Sequence, residues 1–139
     1  MKRLLIASYW IGIIADALAT FLLFSPQIAA MVLRPQPFEI SEIYLYVSRV
    51  AGALMFGWTV LLVWGVMKPV ERAGILVITL FPVVTILAWA AVVVVKSNQI
   101  PFDNVLPMFI LYVVVFLTFI PSYVWAKRQK QFKRQSYEN

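Results

Sequence analysis

The stretch Gly74–Val95, which reads GILVITLFPVVTILAWAAVVVV, decides the fold class because it runs for 22 residues without one charged side chain. A helix of that length crosses the ~30 Å hydrocarbon core of a bilayer. Three further windows, Leu4–Phe24, Ile43–Val66 and Val105–Ala126, are comparably apolar. Each is continuously apolar rather than alternating, which favours helices over a transmembrane barrel. The sequence therefore predicts an all-α integral membrane protein, one four-span domain built as a four-helix bundle.

The composition supports this class and narrows the chemistry. Of the 139 residues, 63% are hydrophobic and 13% are charged, whereas soluble domains carry about 25% charged residues. The chain has no cysteine and no histidine. Thiolate catalysis, disulfide exchange, iron–sulfur clusters and imidazole-bound metals are therefore excluded. No metal site and no cofactor is predicted, and the sequence does not indicate an enzyme.

The distribution of Lys and Arg predicts the topology. Short polar connections between the windows predict antiparallel neighbours in up-down order. Nine basic residues flank one side of the predicted membrane, and only Arg34 and Lys96 flank the other. Because cytoplasmic loops carry the excess of basic residues, both termini are predicted to be cytoplasmic, in an inner membrane. Ala17–Ala19 has the form of a signal-peptide cleavage region, but the apolar run continues through Phe24, so the first span is expected to be retained.

Residues 127–139 are predicted to form a basic cytoplasmic tail. Cations beside an inner leaflet attract anionic lipid at ~1 kcal/mol each. The topology already accounts for this charge, so the bilayer is the predicted partner and a nucleic acid is not. The predicted membrane-surface residues are Lys127, Arg128, Lys130, Lys133 and Arg134.

Asp16 and Arg49 are the charged residues deep inside the predicted spans. At a rise of 1.5 Å per residue they lie roughly 12 Å and roughly 9 Å below the same outer surface. Antiparallel first and second spans bring them level, which predicts a charge-assisted pair. Thr20 and Ser48 lie at a similar depth. These four residues are the candidate ligand-binding set, and a purely structural ion pair is the alternative.

Prolines and a short amphipathic stretch predict three further features. Pro82 and Pro121 are expected to kink the third and fourth helices. Ser25–Arg34 is too short to span and is expected to form a helix on the outer surface. An extended segment at Pro35–Pro37 is expected to follow it.

The first span ends Phe21-Leu22-Leu23-Phe24-Ser25-Pro26, and the second contains Ser48-Arg49-Val50-Ala51-Gly52-Ala53. In these features the first half of the chain resembles the DoxX-like group of small four-helix bacterial membrane proteins. The resemblance implies a bacterial inner membrane. Because some members accompany quinone-linked oxidoreductases, it also implies an accessory role.

Three classes of function remain open from the sequence. The favoured one is a non-catalytic membrane protein that accompanies or anchors a partner, in a homo-oligomer or a larger membrane complex. The second is a binder or enzyme for a lipophilic or anionic molecule, held in the outer half near Asp16 and Arg49. The third is a small oligomeric transporter that uses Asp16, although dual-topology exporters need more evenly balanced loop charges.

Overall fold

A computed structural model of the chain describes residues 1–33 and 41–138. By length and composition, four of its helical stretches can cross a membrane: Lys2–Phe24, Glu42–Met67, Gly74–Lys96 and Phe102–Phe132. No strand occurs in the described ranges, so the all-α prediction with four apolar helices is confirmed. The helices are α1 (Lys2–Phe24), α2 (Pro26–Leu33), α3 (Glu42–Met67), α4 (Gly74–Ile78), α5 (Thr85–Lys96) and α6 (Phe102–Glu138), with a kinked segment (Thr79–Val84) between α4 and α5.

Helix α1 packs most extensively against α3, and glycines allow the close approach. A Cβ atom placed on Gly65 would lie 2.5 Å from the Tyr9 ring, and one placed on Gly52 would lie 3.1 Å from the Phe24 ring. The start of α1 thus contacts the end of α3, and the end of α1 contacts the start of α3. Small residues are expected where membrane helices approach closely.

The third span bends at Pro82, as predicted. Phe81 has φ −117° and ψ 105°, outside the helical region. Proline has no N–H to donate and its ring crowds the preceding turn, so the helix breaks there. Thr85 Oγ1 donates to the Leu80 carbonyl at 3.0 Å and satisfies an oxygen beside the break. Beyond the bend, α5 rests chiefly on α6, and Ala91 is its buried residue.

Helix α6 is longer than the predicted fourth span. It runs continuously through Pro121 and on to Glu138, so the bend expected at Pro121 does not interrupt it. The predicted tail is therefore a helical extension over its described part. Lys130 Nζ on this extension donates to the Glu71 carbonyl in the connection between α3 and α4.

We call the end of the bundle that holds Met1, the Lys68–Ala73 connection and the α6 extension the basic end. Several contacts join its parts. Tyr9 Oη donates to the Arg72 carbonyl at 2.9 Å, and the Arg72 guanidinium lies 3.5 Å above the centre of the Trp64 ring.

The opposite end, which we call the α2 end, holds α2 and the connection between α5 and α6. The predicted short helix is present as Pro26–Leu33, and it packs against α1 and α6 with Ala29 buried. Arg34 and the segment predicted to be extended, Pro35–Pro37, lie outside the described residues.

Candidate functional site

Asp16 lies on the face of α1 that points into the bundle. It is one helical turn from Gly12 on one side and from Thr20 on the other, and both of those residues are buried. The Asp16 side chain as a whole is half-buried. Its Oδ2 atom is nevertheless enclosed by the protein. The carboxylate therefore has one oxygen inside the bundle, while part of the side chain remains accessible from outside the chain.

Two enclosed oxygens on this face lack hydrogen-bond partners. Among the described residues, the buried side-chain nitrogen and oxygen atoms without a partner are Asp16 Oδ2 and Thr20 Oγ1; we call them the unpartnered oxygens. Thr20 is only 8% exposed. A buried polar group left without a partner costs about 1–3 kcal/mol, more when it is charged. Their position one turn apart on α1 makes this a shared polar spot in an apolar helix.

The conformation of Thr20 is unusual for this protein. Threonines in helices commonly donate to the carbonyl four residues earlier. Thr59, Thr79 and Thr118 all do so here, at 2.8–2.9 Å. The Thr20 hydroxyl makes no such bond. It therefore remains open to a partner that does not belong to its own helix.

Helix α3 supplies no donor to this spot. Asp16 and Thr20 lie between the Gly12–Leu62 contact and the contact of α1 with Gly52, so the α3 stretch between Gly52 and Leu62 is the one that faces them. Its polar hydrogens are engaged elsewhere. Trp58 Nε1 donates to Thr79 Oγ1 at 3.0 Å, and Thr59 Oγ1 donates to the Met55 carbonyl.

Helix α6 supplies no donor either. The antiparallel contact of Gly12 with Phe119 places Tyr112 and Val115, both buried, near the level of Asp16 and Thr20. Tyr112 Oη makes no hydrogen bond to either unpartnered oxygen. The described α6 side chains at this level therefore leave both unpartnered oxygens without a donor.

The predicted pairing of Asp16 with Arg49 is wrong. Within the described part of the chain, no ion pair or hydrogen bond joins the two, and Arg49 is exposed. The predicted depths put the two residues at one level in the membrane. They do not show whether the two side chains lie on facing sides of their helices. Ser48 and Gly52 face α1, and Arg49, the next residue after Ser48, is turned by about 100°. The guanidinium therefore points outward from the bundle.

Ser48, the fourth predicted site residue, has a structural partner. It is buried, and its Oγ donates to the Leu23 carbonyl at 2.6 Å, near the end of α1. Of the four predicted residues, the structure thus brings Asp16 and Thr20 to one face. Ser48 links α3 to α1 nearby, and Arg49 lies on another surface.

A polar cluster that was not predicted from the sequence lies near the basic end. Ser8 Oγ lies 2.8 Å from Ser122 Oγ and donates to the Leu4 and Thr118 carbonyls at 2.9 and 3.1 Å. The spacing of Ser8 and Gly12 on one face of α1 was the available signal. Because these hydroxyls have partners, the cluster links α1 to α6.

The predicted membrane-surface residues lie on the α6 extension. Lys127, Arg128 and Lys130 are exposed, and Lys133 and Arg134 follow on the same helix. Their contact with lipid stays a prediction. Among the described residues, no group of three or more acidic side chains is placed to hold a metal ion.

Comparisons with known protein families, with curated proteins and with solved structures find no match to this chain.

Proposed function

We propose that the chain is a four-span protein of the bacterial cytoplasmic membrane, with up-down connectivity and both termini in the cytoplasm. The basic end gathers the N-terminus, the Lys68–Ala73 connection and the α6 extension through contacts such as Tyr9 to Arg72 and Lys130 to Glu71. The clustering of basic residues at one end supports a cytoplasmic position for that end. The resemblance to the DoxX-like group supports the choice of membrane.

Reporter fusions test this topology. Fusions after Asn139 and within Lys68–Ala73 are expected to report the cytoplasm, and a fusion within Ser97–Asn104 the opposite side. A periplasmic signal from the fusion after Asn139 would contradict the proposal.

Within that membrane, the chain acts as a non-catalytic accessory protein that packs beside another integral membrane protein. One observation carries this proposal: Arg49 is exposed, roughly 9 Å inside the second span, with no charge partner among the described residues. An ionisable group at membrane depth needs a partner. Ala53 and Gly57 continue the same face, and a Cβ placed on Gly57 meets nothing within 4 Å. This face suits a partner helix that carries an acidic residue.

Site-specific photocrosslinking in native membranes tests the accessory role. A photoreactive residue at Gly57 is expected to give one discrete adduct that weakens in an Arg49→Gln background. The same probe at Val113, exposed on α6, is the matched control. If both positions give only lipid adducts, Arg49 is satisfied by lipid phosphates and the accessory proposal fails.

A second candidate function rests on a different observation, the unpartnered oxygens of Asp16 and Thr20. They support a small-molecule site between α1, α3 and α6, because a site needs a few polar groups in apolar surroundings. Mass spectrometry of extracts from gently purified protein is expected to reveal a small molecule that is absent from Asp16→Leu protein. Identical extracts would contradict this candidate.

A further inference from the structure

The chemistry around Asp16 and Thr20 also identifies a class of ligand, an inference that rests on the second candidate function. Both unpartnered atoms are oxygens, and a carboxylate and a hydroxyl oxygen both accept hydrogen bonds. The donors that face them on α3 already have partners. The missing group is therefore a donor, and no described residue supplies one.

We infer that this spot binds the ammonium group of an amphiphilic amine, with the hydrocarbon part of the ligand lying against the apolar side chains of α1, α3 and α6. An ammonium carries three donors and one positive charge. It can therefore donate to Asp16 Oδ2 and Thr20 Oγ1 together and also compensate the carboxylate. A neutral alcohol offers one donor and no charge, so it leaves one oxygen or the charge uncompensated.

The position of the site fits a ligand that arrives through the membrane. Asp16 is half-buried as a residue, although its Oδ2 is enclosed. Thr20 lies one turn nearer the α2 end and is almost fully enclosed. An amine that enters beside Asp16 meets the charged oxygen first, and the hydroxyl provides the inner contact.

Among residues 1–33 and 41–138, no side chain takes the place of this cation. Arg49 points away from the bundle, and no ion pair to Asp16 occurs among the described residues. An uncompensated charge inside a membrane is costly. A ligand that carries the opposite charge removes this cost, so binding and charge compensation are the same event.

A binding assay with four probes of equal chain length tests the inference. Radiolabelled dodecylamine is bound to the full chain in nanodiscs of neutral lipid, and 1-dodecanol, dodecyltrimethylammonium and dodecanoate are used as competitors. Wild-type protein is compared with Asp16→Asn and Thr20→Val. Asp103→Asn, a carboxylate exposed at the start of α6, is the matched control.

Dodecylamine is expected to bind wild-type and Asp103→Asn protein equally. Its affinity is expected to fall about 10-fold or more in Asp16→Asn and about 3-fold in Thr20→Val, since hydrogen bonds to charged groups are the stronger ones. Dodecyltrimethylammonium has the charge without the donors and is expected to compete weakly. Dodecanoate is expected not to compete.

The remaining outcomes separate the ligand class from the site. If 1-dodecanol or dodecanoate binds in an Asp16-dependent way and dodecylamine does not, the amine inference is wrong and the second candidate function stands. If no probe binds in an Asp16-dependent way to a protein whose thermal unfolding is normal, both are wrong.

Discussion

The two halves of the bundle treat their polar side chains differently. Near the basic end, Ser8, Ser122 and Tyr9 are buried and all make hydrogen bonds between elements. Toward the α2 end, Ser48 is bonded to the Leu23 carbonyl, but Asp16 and Thr20 hold enclosed oxygens without partners. Both arrangements are built on the same helix, α1, within a few turns. The difference indicates that the polar side chains of the first half link helices, whereas Asp16 and Thr20 in the second half add no such link.

Packing follows the same division. The most completely enclosed side chains lie in the half next to the basic end, and include Leu5, Leu62, Leu76, Phe119 and Ala126, each at most 1% exposed. The buried residues toward the α2 end are fewer, and Ala29 and Ala91 are each 7% exposed. The break at Pro82 contributes to this difference. After the break, α5 packs on α6, and Ala91 is the buried residue of α5. Local stability is expected to be lower where fewer apolar contacts are made.

The largest expected effect tests the tightly packed half. Gly65→Val places a branched side chain 2.5 Å from a Tyr9 ring that is held by its hydrogen bond to Arg72. Because the ring cannot move without losing that bond, we expect a loss of about 3 kcal/mol, the upper part of the range for overpacking. Steric trapping in bicelles measures the free energy of unfolding. Gly57→Val is the control, since a Cβ there meets nothing within 4 Å, and equal losses in the two variants would contradict the packing difference.

The next prediction is a gain of stability, and it tests the half toward the α2 end. Asp16→Leu removes an enclosed oxygen without a partner, so we expect ligand-free protein to gain about 2 kcal/mol of unfolding free energy. Asp16→Asn keeps a polar group and is expected to gain less. Thermal unfolding of delipidated protein in one detergent provides the measurement. A loss of stability in Asp16→Leu would mean that the carboxylate has a structural partner, and the two halves would then be alike.

The sequence predicted the local features of the fold, but it did not predict all of its packing. The four apolar helices, the helix after Ser25 and the break at Pro82 follow from run length and from the chemistry of proline, which are local properties. The continuity of α6 through Pro121 does not follow from these local properties. The sequence also identified Asp16 and Thr20 as candidate ligand-binding residues, and ligand binding by them stays a prediction.

The errors arose where rotation about a helix axis matters. Depth along the chain predicted that Asp16 and Arg49 meet, but Arg49 is turned away from α1 while Ser48 faces it. The hydrogen bond between Ser8 and Ser122 joins residues that are 114 positions apart in the sequence. An isolated serine in an apolar run does not identify a partner so distant in sequence. Contacts between helices of this kind need the packed structure.

A smaller loss of stability is expected when the hydrogen bond between Ser8 and Ser122 is removed. Hydrogen bonds between membrane helices contribute about 0.6 kcal/mol on average and up to about 1.7. Ser8→Ala is expected to cost about 1 kcal/mol, because Ser8 Oγ contacts Ser122 and the carbonyls of Leu4 and Thr118. A double-mutant cycle with Ser122→Ala is expected to give a coupling energy near the average. A coupling of zero would show that the two hydroxyls do not stabilise the basic end.

The smallest expected effect compares one substitution in the two halves. Valine has nearly the shape of threonine without the hydroxyl. Thr79, 3% exposed, accepts from Trp58 Nε1 and donates to the Ile75 carbonyl, so Thr79→Val is expected to lose about 1 kcal/mol. Thr20, 8% exposed, has no partner to lose, so Thr20→Val is expected to gain about 0.5 kcal/mol in ligand-free protein. Both values come from steric trapping under one condition, and a loss in both variants would contradict the open hydroxyl. Because bound dodecylamine gives Thr20 Oγ1 a donor, a saturating amount is expected to turn the Thr20→Val gain into a loss and to leave the Thr79→Val loss unchanged.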